Sequence, residues 1–555
     1  MENKPKKYIP SKVYLPVVLA VVLISGFILG LNLRTPQSNQ VEGRFFSIGM
    51  ERYDKVRDVI NYVYDSYVDS VSREYLTEET IRSMLDNLDP HSSYIPASDY
   101  RRLTDPLMGS FEGIGIEFNM VKDTLVVIQP ITGGPSERAG IMPGDRIVQV
   151  DDTLIAGVSK STDDVVSMLL GQKGTVVDVK VFRFGVPDLL EFSLTRDKIP
   201  SYSLDIAYMT DEVTGYIRLS RFSATSHQEF MQAMDNLQQQ GMEQLILDLR
   251  GNGGGFLDAA IHIADELLEP RQLIVYTDGR KRPRTYARSM RHGIFETQPL
   301  IVLIDEWSAS ASEIIAGAVQ DNDRGLVVGR RSFGKGLVQE QVQLSDGSAL
   351  RLTVARYYTP TGRSIQKPYD EGLEAYYSDL LERFHSGELT SPDSIRFDDS
   401  LRFETPAGRT VYGGGGIMPD IFVPLETVGQ TAFFNQVSNR GYIYLYAFDY
   451  VDRHRSSLAG FKDAAGFVTN FSLTNVIFRD FLQFIQDQGM QLPRQMNAEC
   501  EAMIKTHLKA YIGRNMYGAH AFYPVLHTRD RTLDKAMEAL RDQVMLSLLK
   551  PAESS

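Results

Sequence analysis

The sequence predicts a multidomain α+β protein. It has a membrane-anchor helix, a helical N-terminal segment, a small domain of short strands, an α/β core and a helical C-terminal region. Three observations predict it. An uncharged run of 19 residues, Val13–Leu31, stands near the start. The hydrophobic period shifts from helical spacing to short alternating runs, and then to strands alternating with helices. With 555 residues, the chain also has room for about three or four domains.

Composition narrows the classes. Hydrophobic residues are 43% and charged residues 23%, which excludes a wholly disordered or fibrous chain. The formal net charge of −13 and a pI near 5.3 exclude a general nucleic-acid binder. A single cysteine, Cys500, excludes an intramolecular disulfide, a cysteine zinc cluster and an iron–sulfur site. The histidines show no His-x3-His spacing, so neither a metal nor an organic cofactor is implied.

Residues 1–34 read as a cytoplasmic stub and an uncleaved signal anchor. Val13–Leu31 is long enough to span a bilayer. Lys4, Lys6, Lys7 and Lys12 precede it and favour a cytoplasmic N-terminus. A cleaved signal peptide is the rival, although no Ala-x-Ala-like site follows Gly30. The rest of the chain then lies outside the cytoplasm. Residues 35–100 read as a linker and a helical region. Val56, Val59, Ile60 and Val63 recur at helical spacing, and the region stops at the turn-rich LDPHSSYIP, Leu88–Pro96. Residues 105–185 read as short strands with glycine turns, GIGIEF (113–118) and TLVVIQPI (124–131) among them, and a helix near 161–170. Residues 195–425 alternate strands and helices. Within them, 367–410 reads as a polar loop or insertion. Residues 430–555 return to helical patterns, which admit a homodimer or a docking role.

Four glycine- and serine-rich constellations could carry chemistry. The first is Gly109–Ile116, with Gly113, Ile114, Gly115 and Ile116 at its end. Glycine-permitted backbone beside a strand edge can present amides to a carboxylate. The second is Leu247–Gly255, LDLRGNGGG. A strand enters a glycine cluster and then a helix, leaving amides for an anion or an oxyanion, and the spacing does not meet G-x-G-x-x-G. The third is Ser308–Glu313, SASASE. It reads either as a capping box from Ser310 to Glu313 or as a nucleophile at a helix start. The fourth is Gly329–Gly336, GRRSFGKG. It meets the G-x4-G-K spacing of a phosphate loop, but Gly336 supplies no hydroxyl, and a strand pattern follows where a helix is required. A lysine there, flanked by Phe333, Leu337 and Val338, would be partly desolvated and lowered in pKa.

Gly113–Ile116 with Gly140–Val150 downstream resembles a PDZ domain, which adds a peptide as an extra strand and holds its C-terminal carboxylate. From about residue 50 to 425 the chain resembles the carboxyl-terminal processing peptidases, the tail-specific serine proteases of family S41. The match includes LDPHSSY, LRGNGGG, SASASE, GRRSFGKGLVQ, LTVARYYTPTGRSIQ and GIMPDI. The resemblance implies a crotonase- or Clp-protease-like core and a Ser–Lys dyad with Ser310 as nucleophile. It makes Lys335 the general base and Gln339 the residue that positions the lysine. Gly253, Gly254 and the amide of Ala311 would form the oxyanion hole, with Ser308 and Ser312 structural. It also implies substrates with apolar C-terminal tails, and a periplasmic or extracellular catalytic part. Leu170 departs from the family: many members carry an arginine there, just before the glycine that ends the PDZ helix, and it couples the PDZ to the active site. A histidine-dependent hydrolase, with His91, His227, His262 or His292, and a non-catalytic binding module are the other readings.

Overall fold

The computed structural model describes residues 20, 22–25, 54–121 and 123–542. The apolar run Val13–Leu31 lies almost entirely outside them. Among the described residues, no helix is long and apolar enough to cross a membrane. The chain falls into two compact units, residues 1–76 and 77–555. The first holds the helix Lys55–Ser66, capped by the Asp54 side chain, which accepts from Arg57 N–H at 3.2 Å.

The second unit contains an α/β core. Its six-stranded sheet runs Leu204–Met209, Thr214–Leu219, Gln244–Asp248, Leu300–Ile304, Leu326–Gly329, Ile421–Phe422. The first pair is antiparallel and the rest are parallel. Strands buried on both faces carry continuous apolar runs, as LIVLI does. Leu300, Val302 and Ile304 face a layer formed by the helices Ser226–Gln239, Leu257–Leu267 and Ala311–Asp321. Ile301 and Leu303 face the other way, against Leu533, Ala536, Ala539 and Leu540 of the helix Arg531–Arg541. The last described helix is therefore a layer of the α/β core, although its sequence position groups it with the helical C-terminal region. Its cap, Asp530, pairs with Arg250 of the LRGNGGG turn at 2.7 Å.

A second sheet pairs Ser93–Ile95, Ala349–Tyr358, Leu273–Asp278 and Thr285–Arg288, with Leu337–Gln343 also on Ala349–Tyr358. The strand in SSYI was not expected from the helical pattern around it. Residues 367–410 also depart from the loop reading, because the helix Leu373–His385 lies within them. Its apolar positions Leu373, Tyr376, Tyr377, Leu380, Leu381 and Phe384 recur at helical spacing, although only Tyr376 among them is buried.

The small β domain is a sheet in the order Ile116–Val121, Thr124–Pro130, Arg146–Val150, Val176–Phe182, Leu190–Thr195, with Thr162–Leu169 as its main helix. GIGIEF is not one strand. Ser110–Gly113 pairs with Asp197–Pro200, and Ile116–Val121 forms the edge of the domain's own sheet. Gly115, at φ 75°, makes the break between them.

The helices between Ala432 and Tyr517 form two apolar clusters of their own. They pack on the small β domain. Arg146 donates to Asp452 at 2.9 Å and lies over the Phe448 ring at 5.3 Å. Glu117, on the edge strand, pairs with Arg514.

Candidate active site

After Leu300–Ile304 the chain turns through SASASE into the helix Ala311–Asp321. Ser310 sits at this turn with φ 56° and ψ −112°. Such a conformation is costly for a residue with a Cβ and persists only where its surroundings over-determine it. Here they do. The Ser310 N–H donates to Glu313 Oε2 at 2.7 Å. The Tyr357 hydroxyl lies 3.0 Å from the Ser310 carbonyl and 2.6 Å from the Lys335 carbonyl, its proton shared between them. Ser308 Oγ donates to the Leu249 carbonyl and Ser312 Oγ to the Asn252 carbonyl, both at 2.8 Å. These two buried serines stitch the SASASE turn to the LRGNGGG turn.

Gly254 is held against Ser310. A Cβ added to it would stand 2.8 Å from Ser310 Cβ, and its φ is 101°. Its N–H donates to Asn252 Oδ1 at 2.8 Å. That bond takes the Gly254 amide out of the donors open to a ligand, contrary to the expectation for this residue. Gly253 is exposed. Ala311 opens its helix, where an N–H has no partner within the helix.

The lysine loop is tied to the same place by one carboxylate. Glu313 is fully buried. Besides Ser310, it accepts from Lys335 N–H at 2.9 Å, Gly334 N–H at 2.7 Å and Ser332 Oγ at 2.5 Å. Burial pushes its pKa up to about 7, against these hydrogen bonds, which favour the charged form. The capping box read from the sequence forms, and the same Glu313 side chain also bridges two loops.

Lys335 Nζ donates to Gln339 Oε1 at 2.9 Å, and Gln339 Nε2 donates to the His91 carbonyl at 2.6 Å. Burial moves Lys335 below the ordinary lysine range. The charge of Arg351 adds to this, while Glu313 and Asp89 oppose it. The LDPHSSY turn is the buttress behind Gln339. Asp89 accepts from His91 N–H and Ser92 N–H, each at 2.9 Å, from Ser92 Oγ at 2.6 Å and from Thr353 Oγ1 at 3.0 Å. The His91 ring points elsewhere, to the Tyr376 hydroxyl at 2.7 Å. Burial, then the Lys335 charge, lowers its pKa to about 4.

Gly253, Ser310, Ala311, Lys335 and Gln339 line one cavity of about 420 Å³. No histidine lines it. His227 pairs with Glu266 at 3.0 Å and lies tilted against His262, and His292 pairs with Glu296. Sequence reasoning missed Asn252 and Tyr357 and saw Glu313 only as a cap. Their signals were position within LRGNGGG, period-two placement behind FGKG, and the S-x-x-E spacing.

A second cavity, about 610 Å³, lies in the small β domain. Ile114, Gly115, Ile116 and Phe118 form one wall, and Val166 and Leu169 of the helix the other. Leu170 lines it too, so the residue that departs from the family adds apolar surface. Gly113 does not line it and lies in the strand paired with Asp197–Pro200.

Residues 213–374 match Peptidase family S41, 126–183 a PDZ domain and 433–518 a family of unknown function. The chain is 38% identical over 314 residues to a carboxy-terminal-processing protease of Bartonella bacilliformis, covering 56% of this chain and 71% of that one. The chain belongs to peptidase family S41. The carboxy-terminal processing protease CtpB of Bacillus subtilis is 34% identical over 355 residues, covering 62% of this chain and 72% of its own. The solved photosystem II D1 C-terminal processing protease is 30% identical over 66% of this chain and 86% of that one, with a TM-score of 0.34. This S41 peptidase is thus a C-terminal processing serine protease with a PDZ domain, an S41 core and a helical C-terminal region.

In this peptidase, Gly254→Ala should lower kcat/KM by at least about 100-fold, because a methyl group there displaces Ser310 or the turn behind it. Near-wild-type turnover of a folded Gly254→Ala protein would mean that the close approach is dispensable.

Proposed function

We propose that the peptidase cleaves with a Ser310–Lys335 dyad and selects substrates by apolar C-terminal tails held in the PDZ groove. One observation carries the reading. Ser310, strained at the head of its helix, shares a cavity with a desolvated Lys335 whose ammonium nitrogen is fixed by Gln339. Neutral Lys335 takes the proton from Ser310 Oγ as the oxygen attacks the scissile carbonyl. The amides of Gly253 and Ala311 donate to the oxyanion. The tetrahedral species collapses, the C–N bond breaks, and Lys335 returns the proton to the departing amine. Water, activated by Lys335, then hydrolyses the acyl ester.

The edge strand Ile116–Val121 is free to add a peptide strand, and the apolar groove beside it suits an apolar terminal residue. Residues 13–31 would anchor the enzyme in the inner membrane, with its catalytic part in the periplasm or outside the cell. A homodimer through the helical C-terminal region belongs to the same reading.

The test uses a loosely folded reporter ending in an apolar or a charged tail. Cleavage of the apolar-tailed reporter should be faster. Phe118→Asp, which places a charge in the groove, should bring the two rates together. Equal rates for both tails in the wild type would remove the groove from substrate selection.

A further inference from the structure

Arg351 lines the catalytic cavity and lacks the carboxylate partner that four other inward arginines of this core have. Arg250, Arg330, Arg363 and Arg383 each pair with a carboxylate. Arg351 donates to the neutral Gln341 Oε1 at 2.9 Å. Among the described residues no carboxylate pairs with it, and burial alone acts on its guanidinium. Glu340 lines the same cavity but is spent on Arg282, whose Nε donates to it at 2.9 Å. A half-buried guanidinium held by one amide oxygen keeps its other donors and its charge open to the cavity.

Its place on the strand is equally specific. Arg351 lies in Ala349–Tyr358, two residues before Thr353, which stands opposite Gln339. Side chains alternate along a strand, so Arg351 shares a face with Thr353. A register shift after Thr353 turns the strand, and Tyr357, which touches both the Ser310 and Lys335 carbonyls, lines the same cavity beyond it. Lys335 must hand its proton to the departing amine, so the released side of the substrate faces the lysine. Arg351 extends that wall of the cavity. Resting on the dyad reading above, we infer that Arg351 binds a carboxylate on the released part of the substrate, carried by an acidic side chain or by the free terminus of a short product. The fork of a guanidinium matches a carboxylate in two parallel hydrogen bonds.

The experiment uses the full chain and peptides that the wild type cuts. They carry Asp, Glu, Asn or Gln at successive positions after the scissile bond, each with a free or an amidated carboxy terminus. The readout is the ratio of kcat/KM for carboxylate-bearing over neutral peptides. In the wild type it should be roughly tenfold or more at one position. In Arg351→Gln and Arg351→Met it should fall to about one, and Arg351→Lys should keep part of it. A preference abolished by amidation assigns the terminal carboxylate, and one that survives assigns the side chain. No preference in the wild type, or an unchanged ratio in any folded variant lacking the charge, overturns the inference. So does a uniform loss on every peptide, which would make Arg351 only a charge that keeps Lys335 neutral. Persistent cleavage by Ser310→Ala would instead overturn the dyad and leave the ratio test standing by itself.

Discussion

Ser310→Ala and Lys335→Ala should each lower kcat/KM by at least about 1,000-fold, with unfolding temperatures near that of the wild type. The reason is local. Apart from its place in the helix cap, Ser310 Oγ carries none of the hydrogen bonds that hold its turn, which run through its backbone, Glu313 and the two neighbouring serines. Lys335 Nζ is bonded to Gln339 alone among the described contacts. Lys335→Arg should be as inactive as the alanine variant, because a guanidinium keeps its charge and cannot act as a base. The double variant should be no worse than either single one, since the two act as a unit. Near-wild-type turnover by any of these four variants would rule out the dyad.

The same reading fixes the pH dependence. The working lysine is the neutral form, and a pKa lowered by burial brings that form in at lower pH than a free lysine would. Activity should therefore rise with pH and be lost on the acid side. Glu313 titrates in the same direction. Above about 7 its charged form accepts from both loops, and below that a proton occupies one of its oxygens. The acid limb should thus be steeper than a single ionisation. A flat profile between about pH 6 and 9, with chemistry rate-limiting, would contradict both assignments.

Ending the chain after Thr528 should abolish soluble, active enzyme. The cut removes the helix Arg531–Arg541, which alternates its buried residues Leu533, Ala536, Ala539 and Leu540 over one face of the core sheet. Ile246, Ile301, Leu303 and Val328 would lose that cover. Each large apolar side chain returned to water costs about 1.5–3 kcal/mol, so a handful matches the net stability of an ordinary domain. Arg250 would also lose Asp530, though it would keep Asp248 at 2.6 Å. Leu540→Ala is the graded version. At 5% exposure it should cost about 2–5 kcal/mol and lower the unfolding temperature without touching the cavity. A truncated protein that remained soluble and active would mean that the helix is not part of the core.

What the sequence made legible was whatever is encoded locally. LIVLI announces a doubly buried strand, and the glycines of LRGNGGG announce a turn at a helix start. SASASE and FGKG mark the loops that supply Ser310 and Lys335. What stayed hidden depends on contacts far apart in the chain. Gln339 leans on the carbonyl of His91, 248 residues away. No spacing encodes that pair. The engagement of the Gly254 amide by Asn252 is a side-chain rotamer inside a motif whose glycines alone drew notice. The helix Leu373–His385 carries the helical period of Leu373, Tyr376, Tyr377, Leu380, Leu381 and Phe384, a signal that the polar, acidic residues around it outweighed in the loop reading. Arg531–Arg541 reads correctly as a helix, but an amphipathic stripe does not say which surface it covers.

The edge strand Ile116–Val121 has two sides with different obligations. Ile116 and Phe118 line the groove, while Glu117 between them is bound to Arg514, and Arg146 on the same sheet is bound to Asp452. A PDZ domain transplanted from a relative that lacks Glu117 and Arg146 would leave both of these carboxylate–arginine pairs half-made. Asp452, nearly buried, would then face no cation but Arg455 at 3.8 Å. The module is therefore not interchangeable. Any chimera must carry Glu117 and Arg146 across with the strand, or exchange the helices together with the domain.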